Sequence, residues 1–334
     1  MITPAFGLTA TERVLPKLAL DFTTAVLDAR VTVTRTTNAT NPATYINSSG
    51  VITAATNNQP RFDYDPVTLF CKGLLIEEAR ANSLLNTDLL ATQIVTVTAA
   101  VRTLSFYGTG TVTLSGTHTA VVSGTGAYPT RTTYSFTPSV GALTLTVTGT
   151  VQFAQLELGA FATSYIPTTT TSLTRNTDAV QMTGTNFSSW YNASEGSFVA
   201  RYTLLALITT SSQELLNMND GTSTNVITVN ANNTAGSVGA TATTAGAGQG
   251  FINVAGVAAN TAQTIAYRYA LNNSAIAFNA SAPVVDTTYN VPTGINSIAI
   301  GSRINTFGVI NGHMQRFFYY PQGLTNAELT AFSK

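Results

Sequence analysis

Asp63 and Asp65 form the acidic pair whose spacing in this sequence could support chemistry. In an extended segment, side chains two positions apart point to the same face and lie about 7 Å apart. Such a pair could act as the acid and base of a glycoside hydrolase or as ligands of a calcium ion. Pro66 follows directly, and an Asp before Pro is typical of a turn in which the carboxylate accepts hydrogen bonds from backbone amides. We therefore expect structural aspartates, with Arg61 and Arg80 as candidate ion-pair partners.

Three glutamates are weaker candidates for acid–base chemistry than this aspartate pair. Glu77 and Glu78 are adjacent, so on a strand their side chains point in opposite directions. Glu157 lies among apolar residues, and we expect it to be buried against an arginine such as Arg175, as a lock between a domain and the linker that follows. A single buried ion pair is weak evidence for either catalysis or stability.

The cysteine and the histidines predict neither a metal site nor a nucleophilic site. The single cysteine, Cys71, and two histidines far apart in sequence, His118 and His313, cannot supply a zinc cluster, so we expect no metal and no cofactor. Both histidines are flanked by turn-forming residues, and no Ser-His-Asp set can be nominated. His313 near Asp220 or Glu214 is conceivable in the fold. We expect a protein that is not an enzyme.

The segment NFSSWYNASEG carries the best binding signal of the sequence. Trp190 and Tyr191, beside Asn192 in a predicted loop, suit stacking on a sugar ring while amides bond its hydroxyls. The alternative is that Trp190 fills a junction between two domains, because tryptophan is highly buried on average. We favour the buried alternative.

Composition limits the classes of partner. The 334 residues suffice for two domains, and the 44% hydrophobic content excludes a disordered chain. Charged residues make up only 9%, against about 25% in typical soluble domains, and the net charge is zero. Nucleic acid or an anionic membrane would require a basic patch, so we expect neither as a partner. No apolar run approaches the length of a membrane span, and no signal peptide is expected at the N-terminus.

Alternating apolar residues and threonines predict an all-β fold. From Ile94 onward, short strands separated by regular turn signals are typical of an antiparallel sandwich. The last of these strands opens the segment 151–178, with a bulge expected near Ala154–Gln155. The threonine-rich run after Pro167 then crosses in extended form to a second such unit. Residues 77–85 are interpreted as one irregular helical turn or a loop, and residues 232–250 as one weak strand or a mobile loop.

We therefore predict two antiparallel β-sandwich (jelly-roll) domains in tandem. An N-terminal anchoring arm is expected at 1–24, a first sandwich with an extended N-terminal segment at 25–178, and a second sandwich at 179–334. One short helix is predicted at the C-terminus, where Thr325 and Glu328 have the spacing of a capping box.

Two segments, 59–85 and 152–178, together resemble a module of tailed-phage virion proteins. In that module a PRFDYDP…GLLIE segment precedes a small carbohydrate-binding-module-like jelly roll that closes with QLE-G-ATSYIPT…TR-D. This chain departs from the module at Thr68-Leu69, where the family shows Thr-Gly. Residues 179–334 look like a concanavalin A/laminin G-like jelly roll, a more generic likeness. The matching positions are Pro60, Arg61, Phe62, Asp63, Asp65, Pro66, Gly73–Glu77, Asn82, Gln155–Glu157, Gly159, Ala162–Thr168, Arg175 and Asp178.

The resemblance implies a structural protein of a phage particle, such as a head or tail fibre, a tail protein or a capsid decoration. It implies residence on the virion, other capsid or tail proteins as partners, and host-surface glycans as ligands. A homotrimer follows from the analogy with phage fibres alone. The alternatives are a glycan-degrading depolymerase on the same scaffold and a passive capsid cement protein. The residues expected to form the structural motif are Arg61, Asp63, Asp65, Glu77, Glu157, Arg175 and Asp178.

Overall fold

The computed structural model describes residues 15–233 and 236–334, and its regular structure is almost entirely antiparallel β. The predicted all-β class, with antiparallel sandwiches and a short C-terminal helix, is confirmed. Residues 1–14 of the expected arm lie outside the described residues. Within those residues, no helix has the length and apolar character needed to cross a bilayer.

The strands, in chain order, are β1 (Leu18–Asp21), β2 (Thr32–Thr34), β3 (Thr44–Ile46), β4 (Ile52–Ala54), β5 (Phe62–Tyr64), β6 (Cys71–Ile76), β7 (Arg80–Asn82), β8 (Gln93–Val97), β9 (Arg102–Tyr107), β10 (Thr111–Gly116), β11 (Ala120–Ser123), β12 (Thr132–Phe136), β13 (Gly141–Thr148), β14 (Gln152–Leu158), β15 (Leu173–Arg175), β16 (Ala179–Thr183), β17 (Glu195–Leu204), β18 (Gln213–Asn219), β19 (Val226–Asn233), β20 (Ser237–Thr244), β21 (Ala247–Ala255), β22 (Gln263–Ala270), β23 (Ser274–Phe278), β24 (Val284–Asp286), β25 (Ser297–Ile300) and β26 (Gly312–Tyr320). The helices are α1 (Thr185–Ser188) and α2 (Asn326–Phe332), and a 3-10 turn covers Phe22–Thr24.

The first sandwich pairs a four-stranded sheet, in the order β11-β10-β13-β8, with a three-stranded sheet, in the order β12-β9-β14. Alternate side chains face the interior, as the Thr/apolar pattern predicts. In β13, Leu143 and Leu145 are fully buried, whereas the threonine between them is only partly buried. The bulge expected near Ala154–Gln155 is confirmed, because the register of β14 against β9 shifts between Gln152 and Gln155.

The second sandwich is larger and has β26 at its centre. One sheet has eight strands, in the order β24-β23-β22-β17-β26-β6-β5, with β1 also paired to β26. The other has seven, in the order β2-β16-β25-β18-β19-β20-β21. The predicted capping box between Thr325 and Glu328 starts α2, and Leu324 and Leu329 are fully buried beneath it.

The path of the chain differs from the expected tandem boundaries at 25–178 and 179–334. Strands β1, β2, β5 and β6, all within residues 18–76, hydrogen-bond into the sheets of the second sandwich. The first sandwich is therefore inserted between β6 and β16, and the chain enters and leaves it through the paired strands β7 and β15. Local alternation predicts that a segment is a strand but does not identify its partner, and neighbours in sequence are the default assumption.

Two local interpretations also change. Residues 77–85, expected as an irregular turn or loop, contain β7, which pairs with β15. Residues 232–250, expected as a weak strand or mobile loop, contain β20 and the start of β21. Small side chains such as Ala240 and Ala242 alternate into the core there, so a sequence of low hydrophobicity still forms a regular strand.

A buried network of charges holds the stem of the insertion. The Asp178 carboxylate, just before β16, pairs with the guanidinium groups of Arg61, just before β5, and Arg35, just after β2. Arg61 also contacts Glu77 at 2.8 Å, and Arg175 contacts the same Glu77 oxygen at 3.2 Å. All five side chains are at most 2% exposed. We call these five residues the stem lock.

Further hydrogen bonds are donated to the two carboxylates of the stem lock. The backbone amide of Glu77 donates to Asp178, and the amide and hydroxyl of Ser164 donate to the Glu77 carboxylate. Burial alone would raise the pKa of Glu77, but the charges of Arg175 and Arg61 and the Ser164 bonds outweigh it and hold that pKa well below its usual value. Glu77 is therefore ionised, and Arg61, Arg175 and Ser164 compensate its charge.

Removing one partner of the stem lock should strongly destabilise the chain. We expect Asp178→Asn to lower the free energy of unfolding by about 3–5 kcal/mol, because Arg35 would keep a buried charge without its counter-ion and Arg61 would retain only Glu77. Asp28→Asn is the matched control, since Asp28 pairs with Arg30 in a partly exposed ion pair worth less than about 1 kcal/mol. Urea denaturation of the full chain measures both, and equal losses in the two variants would contradict the assignment.

Candidate functional site

A cleft of about 130 Å³ lies where the inserted sandwich meets the second sandwich. We call it the junction cleft. The inserted sandwich contributes Tyr107 and Arg131, and the extended crossing contributes Tyr165. The β3–β4 hairpin contributes Tyr45, and the large sheet contributes a charged group. The members of that charged group are Asp63 on β5, Lys72 on β6 and His313 on β26.

Asp63 is the centre of the charged group. Its Oδ1 accepts a hydrogen bond from the backbone amide of Ile46 at 2.8 Å, and its Oδ2 lies 2.9 Å from Nε2 of His313 and 2.5 Å from Nζ of Lys72. Burial would raise the pKa of Asp63, but the His313 bond and the Lys72 charge prevail and lower it to about 2. Asp63 is therefore a permanent anion near neutral pH and cannot serve as a proton donor.

His313 is buried beside this carboxylate. Burial lowers its pKa below the usual value, although its hydrogen bond to Asp63 acts in the opposite direction. The histidine is therefore neutral at pH 7 and shares one hydrogen bond with Asp63. His313 does not contact Glu214 or Asp220, the two partners that the sequence analysis considered. Glu214 pairs with Arg303, and burial raises the pKa of Glu214 to about 7.

The cleft also presents cationic side chains. The Lys72 side chain is about one-third exposed, so its ammonium reaches both Asp63 and solvent. Arg131 donates to the backbone oxygen of Thr163 at 2.7 Å and to the hydroxyl of Ser105 at 2.8 Å. Its guanidinium carbon lies 5.9 Å from the centre of the Tyr107 ring. Two cations and several phenol rings thus line the cleft together with the carboxylates of Asp63 and Glu77.

Asp65 lies in the turn that the sequence predicts. It accepts hydrogen bonds from the backbone amides of Thr68 and Val67, which lower its pKa. The expected partnership of Arg61 and Arg80 with the aspartates is wrong: Arg61 belongs to the stem lock, and Arg80 pairs with Glu78 at 2.6 Å.

Glu157 is buried as expected, but not against Arg175. Arg175 pairs with Glu77, and the nearest cation to Glu157 is Arg80 at 3.9 Å. The backbone amide of Thr163 donates to the Glu157 carboxylate. Burial raises the pKa of Glu157 despite the surrounding arginines. Glu157 therefore fastens the crossing segment to β14 and does not reach solvent.

Trp190, Tyr191 and Asn192 do not form an exposed sugar platform. Trp190 is 1% exposed, and its ring packs against Phe187 and Tyr319 with 4.8 Å between ring centres in each pair. The Tyr191 hydroxyl is buried, and Asn192 donates from its backbone amide to Tyr319. The favoured alternative was right about burial but wrong about place, because Trp190 lies in the core of the second sandwich and not at the junction.

Sequence reasoning missed Lys72, Arg131 and the cleft tyrosines, and it named His313 without its partner Asp63. Asp63 and His313 are 250 positions apart. The only sequence signal was that Asp63 and His313 are polar residues in strands with several apolar and aromatic residues, β5 and β26. That signal marks a residue as unusual but does not say which other residue it meets.

Comparison with known proteins gives no family. No family model matches the chain, and no curated protein matches it. Among solved structures, the CBM40 module of an IT-sialidase from Ruminococcus gnavus is 18% identical with a TM-score of 0.38, covering 45% of this chain and 88% of that one. Domain 4 of AbnA, a GH43 extracellular arabinanase from Geobacillus stearothermophilus, is 11% identical with a TM-score of 0.40, covering 53% and 82%.

A third structural neighbour is the NanB sialidase from Streptococcus pneumoniae, as its K499G mutant. It is 12% identical with a TM-score of 0.38, and the match covers 45% of this chain and 26% of that one. The first two neighbours are carbohydrate-binding modules or domains of larger enzymes. Likenesses of this extent leave the function of this chain to be inferred from its own residues.

The buried, neutral state of His313 predicts a pH effect on stability. Because its pKa is lower in the folded chain than in the unfolded chain, the unfolded chain binds more protons below about pH 6.5. Wild type should therefore lose stability relative to His313→Gln as pH falls from about 7.5 to 5.5, by at most about 1.4 kcal/mol per pH unit. Urea titrations at several pH values measure this difference, and a difference that stays constant would contradict a neutral His313.

Proposed function

We propose that this chain is a non-enzymatic structural protein of a phage particle whose junction cleft binds a glycan of the host surface. The observation that carries the proposal is that the two segments resembling the phage module meet in space and contribute residues to both the stem lock and the cleft. Asp63 and Glu77 come from the first segment and Ser164 from the second, and all three line the cleft. The motif therefore has a structural use, which is to position a binding site between two sandwiches.

The chemistry of the cleft suits a sugar. Tyr45, Tyr107 and Tyr165 line it with aromatic rings, while Lys72 and Arg131 offer hydrogen-bond donors. A volume of 130 Å³ is below the roughly 300 Å³ at which pockets for drug-sized ligands begin. The cleft therefore suits one sugar unit, such as the terminal residue of a longer glycan.

The state of the acids supports a binding role over a catalytic one. A glycoside hydrolase needs a protonated acid near neutral pH together with a second carboxylate. Of the described residues that line the cleft, Asp63 and Glu77 are the carboxylates, and their pKa values are lowered by ion pairs. The depolymerase alternative therefore has no proton donor there.

The remaining parts of the proposal rest on the module resemblance and on composition. They are residence on the virion, contacts with other capsid or tail proteins, and assembly as a homotrimer. The 9% charge content and the threonine-rich outer faces suit packing between subunits, and the zero net charge supports neither nucleic acid nor membrane as a partner. The passive-cement alternative shares these features but lacks the ligand.

Glycan-array binding by the full chain tests the cleft. We expect Lys72→Met to weaken binding about tenfold or more, because a hydrogen bond from a charged donor is lost. Lys17→Met is the matched control, since Lys17 is exposed and does not line the cleft. Retained binding in Lys72→Met would contradict the cleft, whereas shortening of an array glycan by the wild-type chain would contradict the absence of enzymatic activity.

Immunogold labelling of phage particles with an antibody against the chain tests the location. We expect regular labelling at one position on the head or tail, because a structural protein is present in fixed copies. Labelling confined to lysed host material would contradict residence on the virion without bearing on the cleft.

A further inference from the structure

We propose that the outward face of the seven-stranded sheet is a second binding site, for a neutral, hydroxyl-rich oligosaccharide. This site is separate from the junction cleft and does not depend on it. The face is a continuous surface because its residues align from strand to strand. One aligned row runs across β16, β25, β18, β19, β20 and β21 and consists of Gln181, Ala299, Asn217, Thr228, Thr241 and Phe251.

The centre of this face is polar and shielded. Asn217, Thr228 and Asn230 point away from the apolar core, yet they are only 5–7% exposed. Asn217 donates to the Thr228 hydroxyl at 3.0 Å. Amides and hydroxyls fixed in this way are the groups with which proteins bond sugar hydroxyls, since each can both donate and accept.

Unpartnered acceptors mark the place where a ligand would bond. Oε2 of Glu214 and Oδ1 of Asn230 are buried and have no hydrogen-bond partner. Glu214 and Asn230 are register partners on β18 and β19, so their side chains are neighbours. Oδ1 of Asn232, two positions along β19, is also unpartnered. Buried acceptors without a donor are rare in folded proteins, and ligand hydroxyls would supply the missing donors.

Two exposed aromatic rings lie on elements that are joined to this polar centre. Phe251, on the edge strand β21, is 54% exposed, and Phe307, in the loop between β25 and β26, is 70% exposed. That loop is fastened to the face, because Arg303 pairs with Glu214 and the amide of Glu214 donates to the oxygen of Gly308 at 2.6 Å. β21 lies three strand spacings from β18, about 14 Å. An oligosaccharide of a few units could stack on the rings and bond the amides between them.

The charge of the face favours a neutral ligand over an ion. Glu214 is compensated by Arg303, and its neighbours Asn217, Thr228 and Asn230 are uncharged. Within residues 15–233 and 236–334, no group of three or more His, Cys, Asp or Glu side chains could hold a metal ion. A divalent cation would need more carboxylates than Glu214 alone.

The test is binding of the full chain to an array of neutral oligosaccharides of glucose, galactose, mannose and N-acetylglucosamine, followed by calorimetry with the best binder. We expect Phe251→Ala to weaken binding about tenfold through the lost stacking surface, and Asn230→Ala to weaken it as well. Phe70→Ala is the matched control, since Phe70 is 76% exposed and lies outside this sheet. Near-ultraviolet circular dichroism verifies that each variant is folded.

The outcomes separate the two sites. Weakening by Phe251→Ala but not by Phe70→Ala or Lys72→Met supports the sheet face. Weakening by Lys72→Met alone overturns the sheet face and leaves the junction cleft in place. Equal binding by wild type and Phe251→Ala, or no binding of any neutral oligosaccharide by wild type, also overturns the sheet-face proposal.

Discussion

The structure depends on compensation of charge where two chain segments enter and leave the inserted sandwich. Asp178 accepts from Arg61, Arg35 and the amide of Glu77, and Glu77 in turn faces Arg61 and Arg175. Burying any one of these charged side chains without an oppositely charged partner would cost several kcal/mol of free energy. Together they neutralise one another, and they can do so only when both segments are in register. The network therefore specifies how the insertion joins its host sandwich.

The junction cleft is a consequence of this arrangement. Asp63 lies two residues from Arg61, and Ser164 contacts both the stem lock and the cleft. In the cleft, too, neighbouring polar and cationic side chains lower the pKa of Asp63. His313 therefore lies beside a carboxylate that stays ionised. The stability of the stem and the ionised state of the cleft carboxylates thus have one cause.

Local features of the fold could be predicted from sequence because they depend on nearby residues. The alternation of β13, the bulge in β14, the Asp65 turn and the capping box of α2 each follow from a few adjacent side chains. The pairing of β6 with β26 could not be predicted, because periodicity carries no information about the partner strand. The boundaries of the two sandwiches were misplaced for this reason.

The candidate sites were harder to predict than the fold. Asp63 was singled out, but its partner His313 comes from the last strand, and the cleft exists only once the insertion is in place. Trp190 was a candidate because tryptophan in a loop can stack on a sugar ring. In the structure its ring is packed in the apolar core of the second sandwich. The outward face of the seven-stranded sheet draws on Asn and Thr residues that are common throughout this sequence, so composition could not distinguish them.

A double-mutant cycle across the stem lock tests the central claim most directly. Arg61→Met, Asp178→Asn and the double variant of the full chain would be compared with wild type by urea denaturation. The account predicts a coupling energy of about 2–3 kcal/mol, because each single variant already loses the buried contact between Arg61 and Asp178, and the double variant loses that contact only once. Losses that add to within about 0.5 kcal/mol would contradict it, since independent residues cannot constitute a lock.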